Sequence, residues 1–346
     1  MRALVALLAV ASLIAVSALG AQSSGVRFVL GVVVPVAALC LWTGGLVWRV
    51  LWWAKSPVPF RIPTTCGQQK SCDFLPANPV DNPQTSCAVA VRVALEVLLF
   101  RSLFRNTSAE LHSGPRLVFG ANRWLWLMSL LFHYSLLVVL LRHLRLFMAP
   151  MPSAIAALVR LDSALEWGLP PVTLTSLMLT GALLFLLVRR LASARLRYVS
   201  LVGDYWALLL LLAIAGTGIL LRHWVRTDVT DIKDFCLSLA RLEPVLPERV
   251  HWLFFVHLFL VSTLFAYFPF SKLVHMGGAL LSPTRNLANN SRRKRHVNPW
   301  AQPAKLHTYA AYEDMFRDKM IKAGIPVEKP SAPTTPPDAS AGTAKA

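Results

Sequence analysis

Apolar positions in this chain come in long unbroken runs rather than in alternation. Six stand out: LVALLAVASLIAVSALGAQ after Arg2, Val29 to Trp53, Trp124 to Met148, Val172 to Val188, Tyr205 to Leu221, and Val250 to Leu280. About 20 apolar residues carry a helix across the hydrocarbon core of a bilayer, so each run predicts a spanning helix. The second closes on Trp48, Trp52 and Trp53, as at a membrane interface. The first has a basic start and small residues near Ala18 to Ala21, so it reads either as a cleavable signal segment or as a retained helix, and its length favours retention. The predicted fold is therefore all-α and integral to the membrane, with six spans, or five if the first is cleaved.

The polar stretches between the runs are uneven. Residues 55–123 open with prolines at 57, 59, 63, 76, 79 and 83, which deny that part long helices. VAVRVALEVLLFRSLFRN follows, with Arg92, Glu96, Arg101 and Arg105 along an apolar segment, and Arg92 and Glu96 at i,i+4. It predicts either an interfacial or re-entrant amphipathic helix or a helix packed against the spans. MAPMPSAIAALVRLDSALEWGLP reads as a short amphipathic connection. Beyond Pro283 the tail reads as soluble, with the basic run SRRKRHVNPW, a short amphipathic helix near Thr308 to Ala323, and a disordered Pro/Ala/Thr end. The chain thus divides into an N-terminal segment 1–21, a membrane domain 27–281 and a basic tail 282–346.

Composition agrees with the runs. Of the 346 residues 55% are hydrophobic and 15% charged, with mean hydropathy +0.53. Soluble domains carry about 25% charged residues. A net charge of +18 would suggest nucleic acid for a soluble protein. Here its distribution reports orientation, and the expected partner is the bilayer, with no nucleic acid. Segments 55–123, 189–198 and 282–346 hold 8, 4 and 11 Lys and Arg, against 1, 3 and 5 in 22–28, 142–169 and 222–249. The richer set is predicted to be cytoplasmic, making this a multi-pass protein of the cytoplasmic (inner) membrane with its tail inside. The five cysteines form no CxxC or CxxCH, which argues against a c-type haem, a zinc ribbon or an internal iron–sulfur cluster. The spacing of Cys66 and Cys72 reads as incidental.

Two of the runs carry imidazoles, His133 and His143 in one and His257 and His275 in the other. An ionisable side chain at membrane depth costs free energy and usually has a partner or a function. The two runs are antiparallel, so direction alone pairs His133 with His275 towards the inside and His143 with His257 towards the outside. Ten residues of helix rise about 15 Å and eighteen about 27 Å, so tilt or bending must absorb the difference, and Pro269 is a natural kink. Eighteen residues are also five whole turns, which puts His257 and His275 on one face of a continuous helix. Four such histidines predict two haems, each iron held by two imidazoles and closed to substrates, together a one-electron wire across the membrane. Arg142 and Arg145, beside His143, fit either haem propionates or ordinary snorkelling. The remaining histidines, His112, His223, His251, His296 and His307, read as solvated or structural. A histidine-relay transporter would want acids deep in the spans, and the four C-terminal runs show none.

LFHYSLLVVLLRHLRLFMAP resembles the second helix of respiratory nitrate reductase gamma subunits (NarI), with ligand histidines ten apart. HLFLVSTLFAYFPFSKLVH resembles that family's last helix, with ligands eighteen apart. The likeness covers about Val29 to Leu281. Within this group the chain more closely resembles the DsrM proteins, haem b membrane subunits of the DsrMKJOP complex. That likeness rests on the first span, the long loop with RIPTTCGQQKS and LEVLLFRSLFRN, and the tail's RRKRHVNPW. A nitrate reductase gamma subunit, the alternative, would lack the first span and this loop. The resemblance implies two haem b groups, His133 and His275 holding the inner iron and His143 and His257 the outer. It further implies quinone exchange near the outer haem and a cytoplasmic iron–sulfur partner resembling heterodisulfide reductase (DsrK-like), linked to DsrC and dissimilatory sulfur metabolism. The chain itself would then be a redox subunit of a quinone-linked oxidoreductase, with no site of its own for sulfur chemistry.

Overall fold

The computed structural model describes residues 1–56, 74, 76–104, 108–114, 116–247, 249–282, 286–289 and 306–329. Cys66 and Cys72, the prolines at 57, 59 and 63, Arg105, His296 and the RRKRHVNPW run lie outside the described residues. Six helices are long and apolar enough to cross a bilayer: α1 (Arg2–Gly20), α2 (Ser24–Ala54), α5 (Arg123–His143, prolonged by a 3-10 turn to Leu146), α7 (Leu174–Ala192), α9 (Val202–Val225) and α11 (Trp252–Tyr267, prolonged to Phe270). They coincide with the six apolar runs. The first run is a helix with Ala6, Val10 and Ser17 buried. α2 takes one wide π turn at Val29–Val33, just before Pro35, whose missing N–H deprives that turn of a regular bond.

α1 lies along α9, α2 along α11 and α5 along α7, while α9 packs between α7 and α11. The main core joins Leu210 of α9 to Phe254, Phe255 and Leu260 of α11 and to Phe235 of the short helix α10 (Val229–Ala240). A second cluster sets Leu179 and Leu183 of α7 with Leu211 against Phe132, Leu136 and Val139 of α5.

Polar contacts sort the connections into two ends. At one, Arg2 Nη1 donates to the Ser200 carbonyl at 2.8 Å, Lys272 Nζ reaches Asp204 Oδ1 at 2.9 Å, Arg49 Nε donates to the Pro269 carbonyl at 3.0 Å, and Asn289 N donates to the Pro83 carbonyl at 2.6 Å. At the other, Arg142 pairs with Asp162 and Arg222 Nη2 donates to Ser163 Oγ at 3.0 Å, both on the short helix α6 (Ser153–Ala164). Connections therefore alternate between ends, as six successive crossings require.

The segment after residue 85 forms α3 (Ser86–Leu99) and one turn, α4 (Arg101–Phe104), broken at Phe100. Thr85 caps α3, its Oγ1 accepting from Ala88 N at 3.3 Å. An antiparallel hairpin follows, β1 (Ser108–His112) with β2 (Arg116–Gly120), and a two-residue ladder β3 (Glu166–Trp167) with β4 (Val172–Thr173) precedes α7. A six-residue helix, α8 (Ala194–Val199), links α7 to α9.

The last run differs from its expectation of one continuous helix to residue 280. Pro269 cannot donate to the helix ladder and its ring crowds the preceding turn, so α11 gives way to 3-10 turns at Phe268–Phe270 and Lys272–Val274. Ser271 Oγ accepts from Leu273 N at 3.1 Å and restarts the chain towards α12 (His275–Leu281). His275 therefore opens a new helix and does not share a helical face with His257.

Residues 297–346 form a separate unit. Its described part is α13 (Tyr309–Lys322), capped by Thr308 and closed at Gly324 with φ +69°, which only glycine adopts freely. The chain then folds back so that Glu328 N and Lys329 N donate to the Glu313 carboxylate at 2.8 and 2.9 Å. Those two amides hold its carboxyl below the usual carboxylate range.

Candidate functional site: two imidazole pairs

α5 and the last run bring the four membrane histidines together in two couples. The His133 and His275 rings lie 5.9 Å apart between centroids, nearly perpendicular at 87°. The His143 and His257 rings lie 6.5 Å apart at 19°. The bend at Pro269 absorbs the mismatch between the two spacings, returning His275 to the level of His133.

Three of the four imidazoles are held in the same manner. His133 Nδ1 bonds the Ser129 carbonyl at 2.7 Å, His143 Nδ1 the Val139 carbonyl at 2.7 Å, and His275 Nδ1 the Lys272 carbonyl at 3.0 Å. A carbonyl only accepts, so each Nδ1 carries the proton and Nε2 keeps its lone pair. His257 instead meets Thr217 Oγ1 at 2.8 Å, and that hydroxyl donates to the Ala213 carbonyl at 2.8 Å, leaving a lone pair for Nδ1–H. Among the described residues no Nε2 of the four has a hydrogen-bond partner. Imidazoles fixed this way by their outer nitrogen are the form in which histidine ligates metals.

Space beside the rings is set by neighbours that the sequence reading did not single out. A Cβ on Gly218 would sit 3.2 Å from His257 Cε1, so a larger residue there would press on the ring. Phe100 and Phe132 flank His133 edge-on, with centroids at 4.8 and 4.7 Å. Sequence offered a faint signal for Thr217 and Gly218, as a hydroxyl and a small residue in an otherwise aliphatic span. It offered none for Phe100.

Arg142, read as a possible propionate partner, is 7% exposed and ion-paired with Asp162, which also accepts from Thr175 Oγ1. Among the described residues its Nε has no hydrogen-bond partner, and neither has Nη1 of Arg222, which grips the next residue of α6. Arg145 sits in the turn after His143 with no ion pair among the described residues. His223 is buried, its Nε2 without a hydrogen-bond partner among the described residues, His251 Nδ1 accepts from Leu253 N at the start of α11, and His112 lies exposed in β1. Among the described residues no three His, Cys, Asp or Glu side chains gather to hold a metal. Cys236 is buried outside the spans, and burial pushes its thiol up to about 11, which keeps it from acting as a thiolate.

A family model described as nitrate reductase gamma subunit matches residues 89–290, a stretch that holds all four histidines and starts after the first two spans. The chain is 42% identical over 279 residues to the Hdr-like menaquinol oxidoreductase cytochrome b-like subunit of Archaeoglobus fulgidus, covering 79% of this chain and 83% of that one. It is 41% identical over 273 residues to the protein of the same description from Archaeoglobus profundus, covering 77% and 81%.

Proposed function

The chain belongs to the nitrate reductase gamma subunit family, and from that footing we propose that it carries two haem b groups and passes electrons between the quinone pool and a cytoplasmic iron–sulfur partner. At the coarser level it is a multi-pass membrane cytochrome b-type subunit of a quinol oxidoreductase. The observation that carries the finer reading is the pair of imidazole couples. Two imidazoles that would share one metal ion through bonds of about 2 Å each would have ring centres roughly 6 Å apart. The distances of 5.9 and 6.5 Å fit that arrangement. Each couple would supply two ligands and among the described residues no third gathers beside them, which suits a metal whose other ligands would come from a porphyrin and not a protein-built cage.

The residues divide the work as follows. His133 and His275 hold the inner iron, His143 and His257 the outer. Gly218 leaves room beside the outer ring. The unpartnered Nε of Arg142 and Nη1 of Arg222, with Arg145, suit the carboxylates of a porphyrin edge, while Asp162 fixes the rest of the Arg142 guanidinium. A bis-imidazole haem supplies one-electron transfer with no open coordination position. The relatives' description as menaquinol oxidoreductase subunits supports quinol as the electron donor, and we place its oxidation on the outer side, with delivery inward, as the family resemblance implies. The end bearing 23 of the 32 Lys and Arg of the connecting segments and tail is taken as cytoplasmic. The partner there is a heterodisulfide-reductase-like (DsrK-like) protein, in line with the relatives' description and the DsrM resemblance, and the setting is dissimilatory sulfur metabolism.

Single-ligand variants test this directly. His143→Ala or His257→Ala should remove one haem b and spare the other, and His133→Ala or His275→Ala should remove the second. The readout is the reduced-minus-oxidised α band together with haem per chain in purified membranes. Loss of neither haem in these variants would refute the ligand assignment, and a wild-type sample without an α band would refute the function.

A further inference from the structure

Phe100 stands where a helix C-terminus would ordinarily place glycine. It follows α3 with φ +48° and ψ +45°, a left-handed conformation that bulky L residues rarely adopt. Such a conformation persists when the surroundings over-determine it. Here they do so through the helix that bears His133. Trp126 Nε1 of α5 donates to the Leu99 carbonyl at 2.7 Å, and Tyr134 Oη donates to the Leu98 carbonyl at 2.8 Å. Beyond the break, Ser102 N donates to Glu96 at 3.0 Å and Arg101 pairs with Asp81, while the Phe104 ring meets Trp126 edge-on at 5.0 Å. The result turns the Phe100 ring onto the His133 imidazole, 4.8 Å away at 83°, at the end of the bundle where the 76–120 connection lies.

We propose that Phe100 is a positioning residue for the inner haem: its ring, delivered by the left-handed turn, fixes the plane of the His133 imidazole and keeps water from that side of the iron. The inference rests on the two-haem reading given above. Ser129 fixes where the Nδ1 proton of His133 points, but one hydrogen bond leaves the ring free to rock about it. Phe100 and Phe132, both edge-on, remove that freedom.

Phe100→Gly separates this role from a merely structural one. Glycine accepts the left-handed turn without strain, so the backbone is relieved while the ring is lost. In haem-loaded protein, titrated by visible absorbance and by low-temperature EPR of the ferric haems, the outer haem should be unchanged. The inner haem should shift towards its oxidised form, because water stabilises the charged ferric state. We expect about a tenfold change in its oxidised-to-reduced ratio at fixed ambient potential, which for one electron is about 59 mV. Its g-values should move, and the reduced form should begin to bind carbon monoxide. Phe100→Tyr, which keeps the ring, should restore the wild-type midpoint. Selective loss of the inner haem in Phe100→Gly would also support the role. A wild-type inner midpoint with wild-type g-values would overturn it, as would failure of the variant to accumulate. Absence of any haem b from the wild-type protein would instead overturn the reading beneath it.

Discussion

The imidazole of His257 leans on a side chain of another helix, Thr217 Oγ1 at 2.8 Å, whereas His133, His143 and His275 lean on main-chain carbonyls of their own segments. Main-chain acceptors cannot be removed by substitution, whereas the hydroxyl of Thr217 can. Thr217→Val keeps the shape and deletes the acceptor. Losing such a partner typically costs 10–100-fold in metal affinity. The variant should therefore lose a large share of its outer haem on purification and raise the midpoint of the remainder, because an imidazole without that acceptor donates less to the ferric ion, with the inner haem intact. Thr217→Ser should restore both, and haem content with a redox titration measures them. The two histidine couples were legible in the sequence because histidine is costly at membrane depth and their spacings are distinctive. Thr217 was legible only faintly and Phe100 not at all, because a threonine back-bonded in a span and an aromatic at the end of an amphipathic helix are ordinary residues until the fold turns them towards an imidazole.

The six spans were legible for the reason that makes them spans: lipid leaves the hydrocarbon region to long apolar segments whose backbone bonds close within themselves. The break inside the last one was hidden, since FPFSKLVH is nearly as apolar as the helix before it. Pro269 advertised a bend, but not that the chain would leave the helix and begin another at His275. Arg49, half-buried in α2, holds that corner. Its Nε donates to the Pro269 carbonyl at 3.0 Å, its guanidinium lies 5.4 and 5.9 Å from the rings of Trp48 and Trp52, and Trp48 packs on Phe270 at 6.1 Å. A hydrogen bond from a charged group contributes about 1.5–3 kcal/mol and a cation–π contact about 0.5–1. Arg49→Leu should therefore loosen the corner by roughly 2–3 kcal/mol. The expected result is selective loss of the inner haem, seen as a halved α band with the outer midpoint unchanged. An unchanged haem content would show that Ser271 and Lys272 suffice to hold His275. The pairing of Arg142 with Asp162 was hidden in the same way, because it forms across a loop between residues twenty apart.

At the scale of the whole molecule, charge and fold point the same way. The basic tail, 11 Lys and Arg within 282–346, belongs to the same predicted cytoplasmic set as the long 55–123 connection. Its described part is not a loose strand. α13 is capped at both ends, and Glu313, 1% exposed, ties the returning chain down through two backbone amides. A membrane anchor alone would have no need of such a built unit. Tyr309, Tyr312 and Met315 nevertheless remain exposed on it, beside three acidic and three basic side chains within Tyr309–Lys322 that cancel. A helix with no net charge gains little from anionic lipid, whereas an exposed aromatic face suits a protein surface. On the proposed function that surface belongs to the iron–sulfur partner, and the tail is its tether rather than part of the electron path. Removing Arg292 to Lys322 should then lower the amount of partner that co-purifies with the membrane subunit by tenfold or more, while haem content and both midpoints stay at wild-type values. Electron delivery from quinol to the partner should fall in proportion and recover when the partner is added in excess, because mass action can replace a lost tether. Undiminished co-purification would assign docking to the 76–120 connection alone, and a simultaneous loss of haem would mean that the tail serves the bundle and not the partner.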